Sequence, residues 1–269
     1  MMAISNSARL VWLAGFLSLL PGSPWLVSGR AEPTPPAASE TAAARAERLY
    51  HEARLRLNHD TNQTTNVWLF ARACFDLAEF ATKDAGRAEL AQRGIVVSRQ
   101  LIAREPKLAP GHYYLALNLG QLARTKSLGA LPLVDEMERA FKTAAGLDAN
   151  LDHAGPDRSL GLLYLDAPGW PTSIGSNKKA RLHLQKAVEL SPDFPENRLC
   201  LLEALLKWRE QKRVASDLKS VETILQNARA KFTGEEWAAS WLDWDSRWQK
   251  IRAKVEETTR PATSPRGRR

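Results

Sequence analysis

Cysteine is nearly missing from this chain: Cys74 and Cys200 are the two present in 269 residues. No disulfide framework can be built from them, and no paired-cysteine metal spacing exists. They fall on helical stretches three hairpins apart, and with neighbouring helix axes about 8–10 Å apart their separation exceeds the ~7 Å limit for bridging. Two buried, unpaired thiols are the expectation. Histidine is also sparse, and His51, His59, His112, His153 and His183 form no HExxH pattern and no short metal-ligand spacing. A nucleophile elbow of the form G-x-S-x-G is absent. The one Gly-bracketed loop that invites comparison with a phosphate cradle has five residues between Gly169 and Gly175 where four are needed, and Ser176-Asn177 follow in place of Lys-Ser or Lys-Thr. These gaps exclude the common metal, nucleotide and acyl-transfer signatures, and the chain is read as a non-enzyme without metal or cofactor.

Charge of one sign is missing from the body of the chain. The formal net charge is +8, but six of the 38 basic residues (Arg9, Arg30, Arg260, Arg266, Arg268 and Arg269) lie in two ends that contain no acid. Residues 31–259 therefore hold 32 basic against 30 acidic side chains, too even a balance for a nucleic-acid stripe. Long apolar runs are missing as well. The run Leu10–Leu20 falls short of the about 20 residues a membrane-spanning helix needs. Following Arg9 and preceding a Pro-Gly break and small residues up to Ala31, it reads as a secretory signal peptide. The alternative is a retained N-terminal anchor. No cysteine follows the run to carry a lipid. The expected location is extracytoplasmic, in the periplasm or otherwise exported.

What is abundant is helical periodicity. Apolar residues at 44% and charged residues at 25% suit a folded soluble body. Ala180, Leu184, Ala187 and Pro192 have counterparts 43 residues upstream in Met137, Phe141, Ala144 and Ala149, and again in Gly94, Ser98, Leu101 and Pro106. A fixed period of small, bulky, compact and turn-forming residues predicts stacked helix pairs. Ala46, Tyr50 and Ala53 suggest a lone second-type helix. Trp68, Ala71 and Phe75 open the first full pair, and pairs follow from about Pro110, Pro156 and Glu196. Thr233 and Glu236 fit a capping box for a last helix, on which Trp237, Trp241, Trp244, Trp248, Ile251 and Val255 form one stripe at steps of three and four. That stripe is expected to cover the last hairpin. The domain reading is a signal peptide over 1–30, a flexible lead-in over 31–38, helical repeats over 39–232, a Trp-rich capping helix over 233–257 and a disordered basic tail over 258–269.

Leu160, Gly161 and Tyr164, followed by Ala180, Leu184, Ala187 and Pro192, resemble the two halves of the tetratricopeptide repeat, with the period lengthened from 34 to 43 residues. The resemblance covers roughly 42–230 and implies an all-α, tetratricopeptide-like helical-hairpin solenoid with a C-terminal capping helix. The long connections LDANLDHAGPDR and PGWPTSIGS are further similar to the T component of TRAP-type transport systems. That likeness implies an envelope protein partnering a periplasmic solute-binding protein, and it leaves a homo-oligomer open. The expected function is a non-enzymatic binding scaffold; the alternative is a small hydrophobic-ligand binder or carrier with a channel between the helices.

First-type helices of such arrays line the inner surface where partners bind, which makes Tyr113, Tyr114, Asn118, Arg158 and Tyr164 candidates for contact, with Trp170 in the connecting loop as a sixth. The plainer reading packs the tyrosines in the core with a wet hydroxyl edge, leaves Arg158 a surface charge or ion-pair partner, and turns Trp170 inward to cap the core.

Overall fold

A computed structural model describes residues 40–126 and 129–259. The expected signal peptide over 1–30 and lead-in over 31–38, two residues of the SLGALP connection, and the basic tail from residue 260 lie outside the described residues. Ten helices follow in order: α1 Ala42–His59, α2 Thr64–Glu79, α3 Asp84–Arg104, α4 Ala109–Arg124, α5 Leu131–Leu147, α6 Leu151–Asp166, α7 Asn177–Leu190, α8 Pro195–Lys207, α9 Gln211–Lys231 and α10 Glu235–Thr259. Helices α2/α3, α4/α5, α6/α7 and α8/α9 pair as hairpins, α1 packs on α2, and α10 packs on α8 and α9. The first helices of successive hairpins also touch one another, α2 with α4, α4 with α6 and α6 with α8, while α3, α5, α7 and α9 make no comparable contacts among themselves. Such one-sided contact curves the array with α2, α4, α6 and α8 on its inner face.

The repeat signature falls where close packing demands it. Gly94, Ser98 and Leu101 on α3, Met137, Phe141 and Ala144 on α5, and Ala180, Leu184 and Ala187 on α7 are all buried. Gly161 shows why a small residue recurs: a methyl group added there would come within 2.6 Å of Leu184 Cγ and 3.0 Å of the Leu184 backbone nitrogen. Helices α6 and α7 meet at that point. Cys74 on α2 and Cys200 on α8 are buried and unbridged.

Ion pairs tie the helix ends of neighbouring hairpins together. Arg124 at the end of α4 reaches Glu79 at the end of α2 (2.9 Å), and Lys207 at the end of α8 reaches Asp166 at the end of α6 (2.7 Å). At the other edge Lys231 meets Asp193. Exposed pairs of this kind contribute at most about 1 kcal/mol each, so they fix register more than they hold the fold.

The capping helix buries one continuous apolar face. Trp237, Trp244, Trp248, Ile251 and Val255 of α10 are buried against α8 and α9, and Trp241 is half-buried with its indole N–H donating to Phe232 O at 2.7 Å. A buried Trp covers about 150–250 Å², and at ~25 cal/mol per Å² this face holds α10 down far more strongly than helix propensity does. The capping box does not bracket its start. Gly234, at φ +99°, precedes the first helical residue, Glu235, and Trp237 N–H donates to Gly234 O at 3.2 Å. The glycine makes the turn that Thr233 was expected to cap, and the helix runs through Thr259, two residues beyond its expected end.

Candidate functional site

Between α5 and α6 the chain makes an unusual turn. Asp152 (φ 50°, ψ 46°), His153 (φ 55°, ψ 52°) and Ala154 (φ 63°, ψ 31°) are consecutive and left-handed, and none of them is glycine. Each such residue costs roughly 1–2 kcal/mol, so the surroundings must hold the turn in place. They do so with buried polar groups. The Arg158 guanidinium, one turn into the right-handed part of α6, donates to the carbonyls of Asp152 and His153 (3.2–3.4 Å), to the Asp152 carboxylate (3.1 Å) and to Asn197 Oδ1 (2.9 Å). Tyr113 on α4 donates its hydroxyl to the same Asp152 carboxylate at 2.7 Å. Burial, with the Asp152 charge beside it, keeps that phenol protonated. Asn197 on α8 donates to His153 O (3.0 Å), Ala187 O (3.0 Å) and Ser191 O (3.2 Å). The His153 ring stacks on Phe194 at 4.3 Å, and burial lowers its pKa so that it packs as a neutral aromatic. Pro156 sits where the right-handed helix resumes, at the helix start that its sequence position predicts.

Next to this turn the inner face has a small hollow lined by Trp68 and Arg72 of α2, Tyr114 of α4 and residues 150–153. Trp68 and Tyr114 lie parallel, 5.8 Å between ring centres. Arg72 pairs with Asp76 at 3.5 Å, and burial pushes the Asp76 carboxyl up to about 6 against the pull of that arginine. The native state thus holds this proton more tightly than the unfolded chain, whose carboxyl titrates near ~3.9. Stability measured against Asp76→Asn is expected to fall as pH rises from about 4 through about 6. Urea midpoints of the two proteins at pH 4 and pH 7 check this, and a gap that stays constant or widens in favour of wild type as pH rises contradicts it.

At the far end of the same face α4 and α6 part, and a cavity of about 270 Å³ opens over α5. Phe75, Leu117, Met137, Phe141, Leu162 and Leu163 give it an apolar wall. Its polar groups are few. Glu79, Gln121 and Arg124 hydrogen-bond one another at one side of the mouth, with Asp166 also lining the cavity. Ser159 also borders the cavity, wholly buried, its hydroxyl without a hydrogen-bond partner. Among the described residues no group of three or more His, Cys, Asp and Glu side chains is placed to hold a metal ion, and no helix is long and apolar enough to cross a membrane.

The six candidate residues separate sharply. Tyr113, Tyr114, Asn118, Arg158 and Tyr164 are all buried. Asn118 donates to Ala71 O (2.9 Å) and Tyr114 O (2.8 Å), which makes it a clasp between α2 and α4. Tyr164 donates to Glu138 and lies beneath Lys179, its ring centre 4.9 Å from the ammonium. Arg158 and Tyr113 meet at Asp152, and Tyr114 lines the hollow beside the left-handed turn. Trp170 is the opposite case. It does not cap the core: it is 89% exposed, at the tip of a loop held by Thr172 N–H and Ser173 N–H donating to Gly169 O, by Gly175 N–H to Pro168 O and by Ser176 N–H to Tyr164 O. The loop closes on itself through its own backbone, and nothing in it needs the indole as a plug.

The sequence reading missed Asp152, Arg72, Ser159 and the buried pair Glu196–Arg247. Arg72 was the most legible of them, a lone charge inside the apolar run Leu69–Phe75. No family model matches this chain, and no curated protein matches it. Among solved structures, a thermophilic TPR protein of Thermus thermophilus is similar at 19% identity and a TM-score of 0.56, over 79% of this chain and 93% of that one. The fold is therefore a tetratricopeptide-like, all-α helical-hairpin solenoid closed by a C-terminal capping helix.

Proposed function

We propose that this protein is a non-enzymatic binding scaffold whose partner is another protein. Trp170 carries the reading. An indole left 89% exposed on a loop braced by four backbone hydrogen bonds is presented at little ordering cost, and tryptophan is the residue type most enriched among interface anchors. The loop joins α6 to α7, so a partner seated on the indole would also meet the ends of the inner helices. The N-terminal signal-like segment and the long connections support an extracytoplasmic location and, as the finer reading, a periplasmic solute-binding protein of a TRAP-type transport system as that partner. A second reading, a binder or carrier of a small hydrophobic ligand, draws on the cavity between α4 and α6.

Purified solute-binding proteins from the same cell envelope are to be titrated against wild type and Trp170→Ala. One of them is expected to bind wild type and to lose at least tenfold in affinity on the variant, in keeping with the about 2 kcal/mol or more that an anchor contributes. Equal binding to both proteins removes the loop from the interface, and no binding by any solute-binding protein removes the transport reading.

A further inference from the structure

We propose that the edge of the array around Trp170 docks an acidic protein face, with the indole in an apolar socket of the partner and the flanking cations against its carboxylates. This deepens the reading of Trp170 as a protein anchor and rests on it. The first observation is continuity. Arg124 at the end of α4 and residues 166–168 at the start of the Trp170 loop stand at one cavity mouth. Lys207 at the end of α8 donates to Leu165 O (3.3 Å) and to Asp166 (2.7 Å), and Arg181 on α7 pairs with Glu210 between α8 and α9. The end of α4 and the next two inner-to-outer connections thus form one edge.

The second observation is charge. Residues 121–126, 163–180 and 204–214 hold eight Lys and Arg against two Asp and Glu, which leaves 24 against 28 in the rest of residues 31–259. The balanced body is therefore polarised, with its positive side here. Asp166 and Glu210 are already engaged, by Lys207 and by Arg181 and Arg213. Lys126, Lys178, Arg209 and Lys212 are exposed and form no ion pair among the described residues, and the exposed Asp135, one turn into α5, offsets one of them. The third observation is that the fold gains nothing from cations at these points. Lys178 and Lys212 lie in the first turns of α7 and α9, where the helix dipole favours carboxylates. Helices α3 and α10 obey with Asp84 and with Glu235 and Glu236, but α7 and α9 have no acid there. A local rule broken without structural gain points to a contact made elsewhere. The loop exposes a single large apolar side chain, which suits a protein socket; a bilayer is held by a broader apolar face.

The test uses the full chain as wild type, as Trp170→Ala and as a reversal variant that combines Lys126→Glu, Lys178→Glu, Arg209→Glu and Lys212→Glu. The reversal variant should melt no lower than wild type, since two of its new carboxylates stand in first helical turns. At about 50 mM salt, polyglutamate is expected to shift the amide resonances of residues 163–180 and 204–214 in wild type and not in the reversal variant, and polylysine should leave them unmoved. A solute-binding protein that binds wild type should lose at least about tenfold in affinity between about 50 and 500 mM salt, chiefly in association rate. That dependence should vanish or change sign in the reversal variant, while Trp170→Ala weakens binding at both salts. The proposal is overturned by polyglutamate that leaves the edge unmoved. It is also overturned by salt-independent binding of the solute-binding protein, and the Trp170 reading then stands if Trp170→Ala still weakens that binding. Flotation with phosphatidylglycerol vesicles that Trp170→Ala abolishes overturns it too, by making the edge a membrane contact. If no solute-binding protein binds, the transport reading fails and the polyglutamate result decides the edge by itself.

Discussion

Arg158→Met is expected to lower the unfolding free energy by about 3–5 kcal/mol, the cost of breaking a buried ion pair from one side. In a chain of this size that corresponds to a fall in melting temperature of roughly 6–20 °C. The guanidinium is almost wholly buried and serves four acceptor groups: the Asp152 carboxylate, the carbonyls of Asp152 and His153, and Asn197 Oδ1. Methionine fills much of the volume and answers none of them. The Asp152 carboxylate would lose its ion pair and keep the Tyr113 hydroxyl, and the left-handed turn would lose the group that holds the Asp152 and His153 carbonyls. Arg158→Lys separates charge from shape, since a lysine keeps the cation but cannot fork across several acceptors. It should recover part of the loss. A thermal melt of Arg158→Met within 2 °C of wild type would mean that the turn holds itself and that the buried network is incidental.

Glu196→Leu should be comparably damaging and should act on one element. The Glu196 carboxylate is buried beneath α10, accepting from Trp244 Nε1 (2.7 Å), from Arg247 Nη1 (2.7 Å) and from Cys200 Sγ (3.2 Å). Burial alone would raise its pKa, but Arg247 and Arg158 outweigh burial and hold it below the ordinary glutamate value. Its stabilising contribution is therefore present above about pH 4.3, the unperturbed glutamate value, and is lost as pH falls through the depressed folded one. With leucine in its place Arg247 keeps Glu203, Asp243 and the Cys200 sulfur, and the Trp244 indole N–H loses its acceptor. About 3–5 kcal/mol is expected here as well. The loss should appear first as faster amide exchange in α10, with α2 to α5 protected as before. Replacing both partners, Glu196→Leu with Arg247→Met, should recover part of the stability, because the two most buried charges leave together while Asp243 and Glu203 lose their arginine. A double variant no more stable than the single one would show that the ion pair contributes little and that leucine simply does not fit.

The fold was legible because its determinants are local and periodic. A 43-residue recurrence of small and bulky residues identifies hairpins whichever ligand they serve, and every helical position of that recurrence is buried. The site was less legible because its parts are defined by partners. Nothing in the string distinguishes Ser159, a wholly buried residue beside a cavity, from an ordinary helical serine. The left-handed turn was hidden for a related reason. Asp152, His153 and Ala154 contain no glycine to announce it, and the groups that stabilise it come from α4, the middle of α6 and α8. Pro156 marked only its far boundary. Trp170 was open to two readings from the sequence, contact residue or core cap, because a large apolar residue is ordinarily core; its 89% exposure removes the second.

The polar chain under the inner face also bears on how the array comes apart. Stacked repeats commonly behave as a one-dimensional string in which each unit feels only its neighbours, so that ends fray independently. Here Tyr113 of α4, Asp152 and Arg158 of α6 and Asn197 of α8 form one continuous run of hydrogen bonds, and Glu196, one residue from Asn197, carries the connection to α10. Opening a hairpin in that run leaves a buried polar group of its neighbour without one of its hydrogen-bond partners. The cooperative length thus extends from α4 to α10, and this part of the molecule melts as a block.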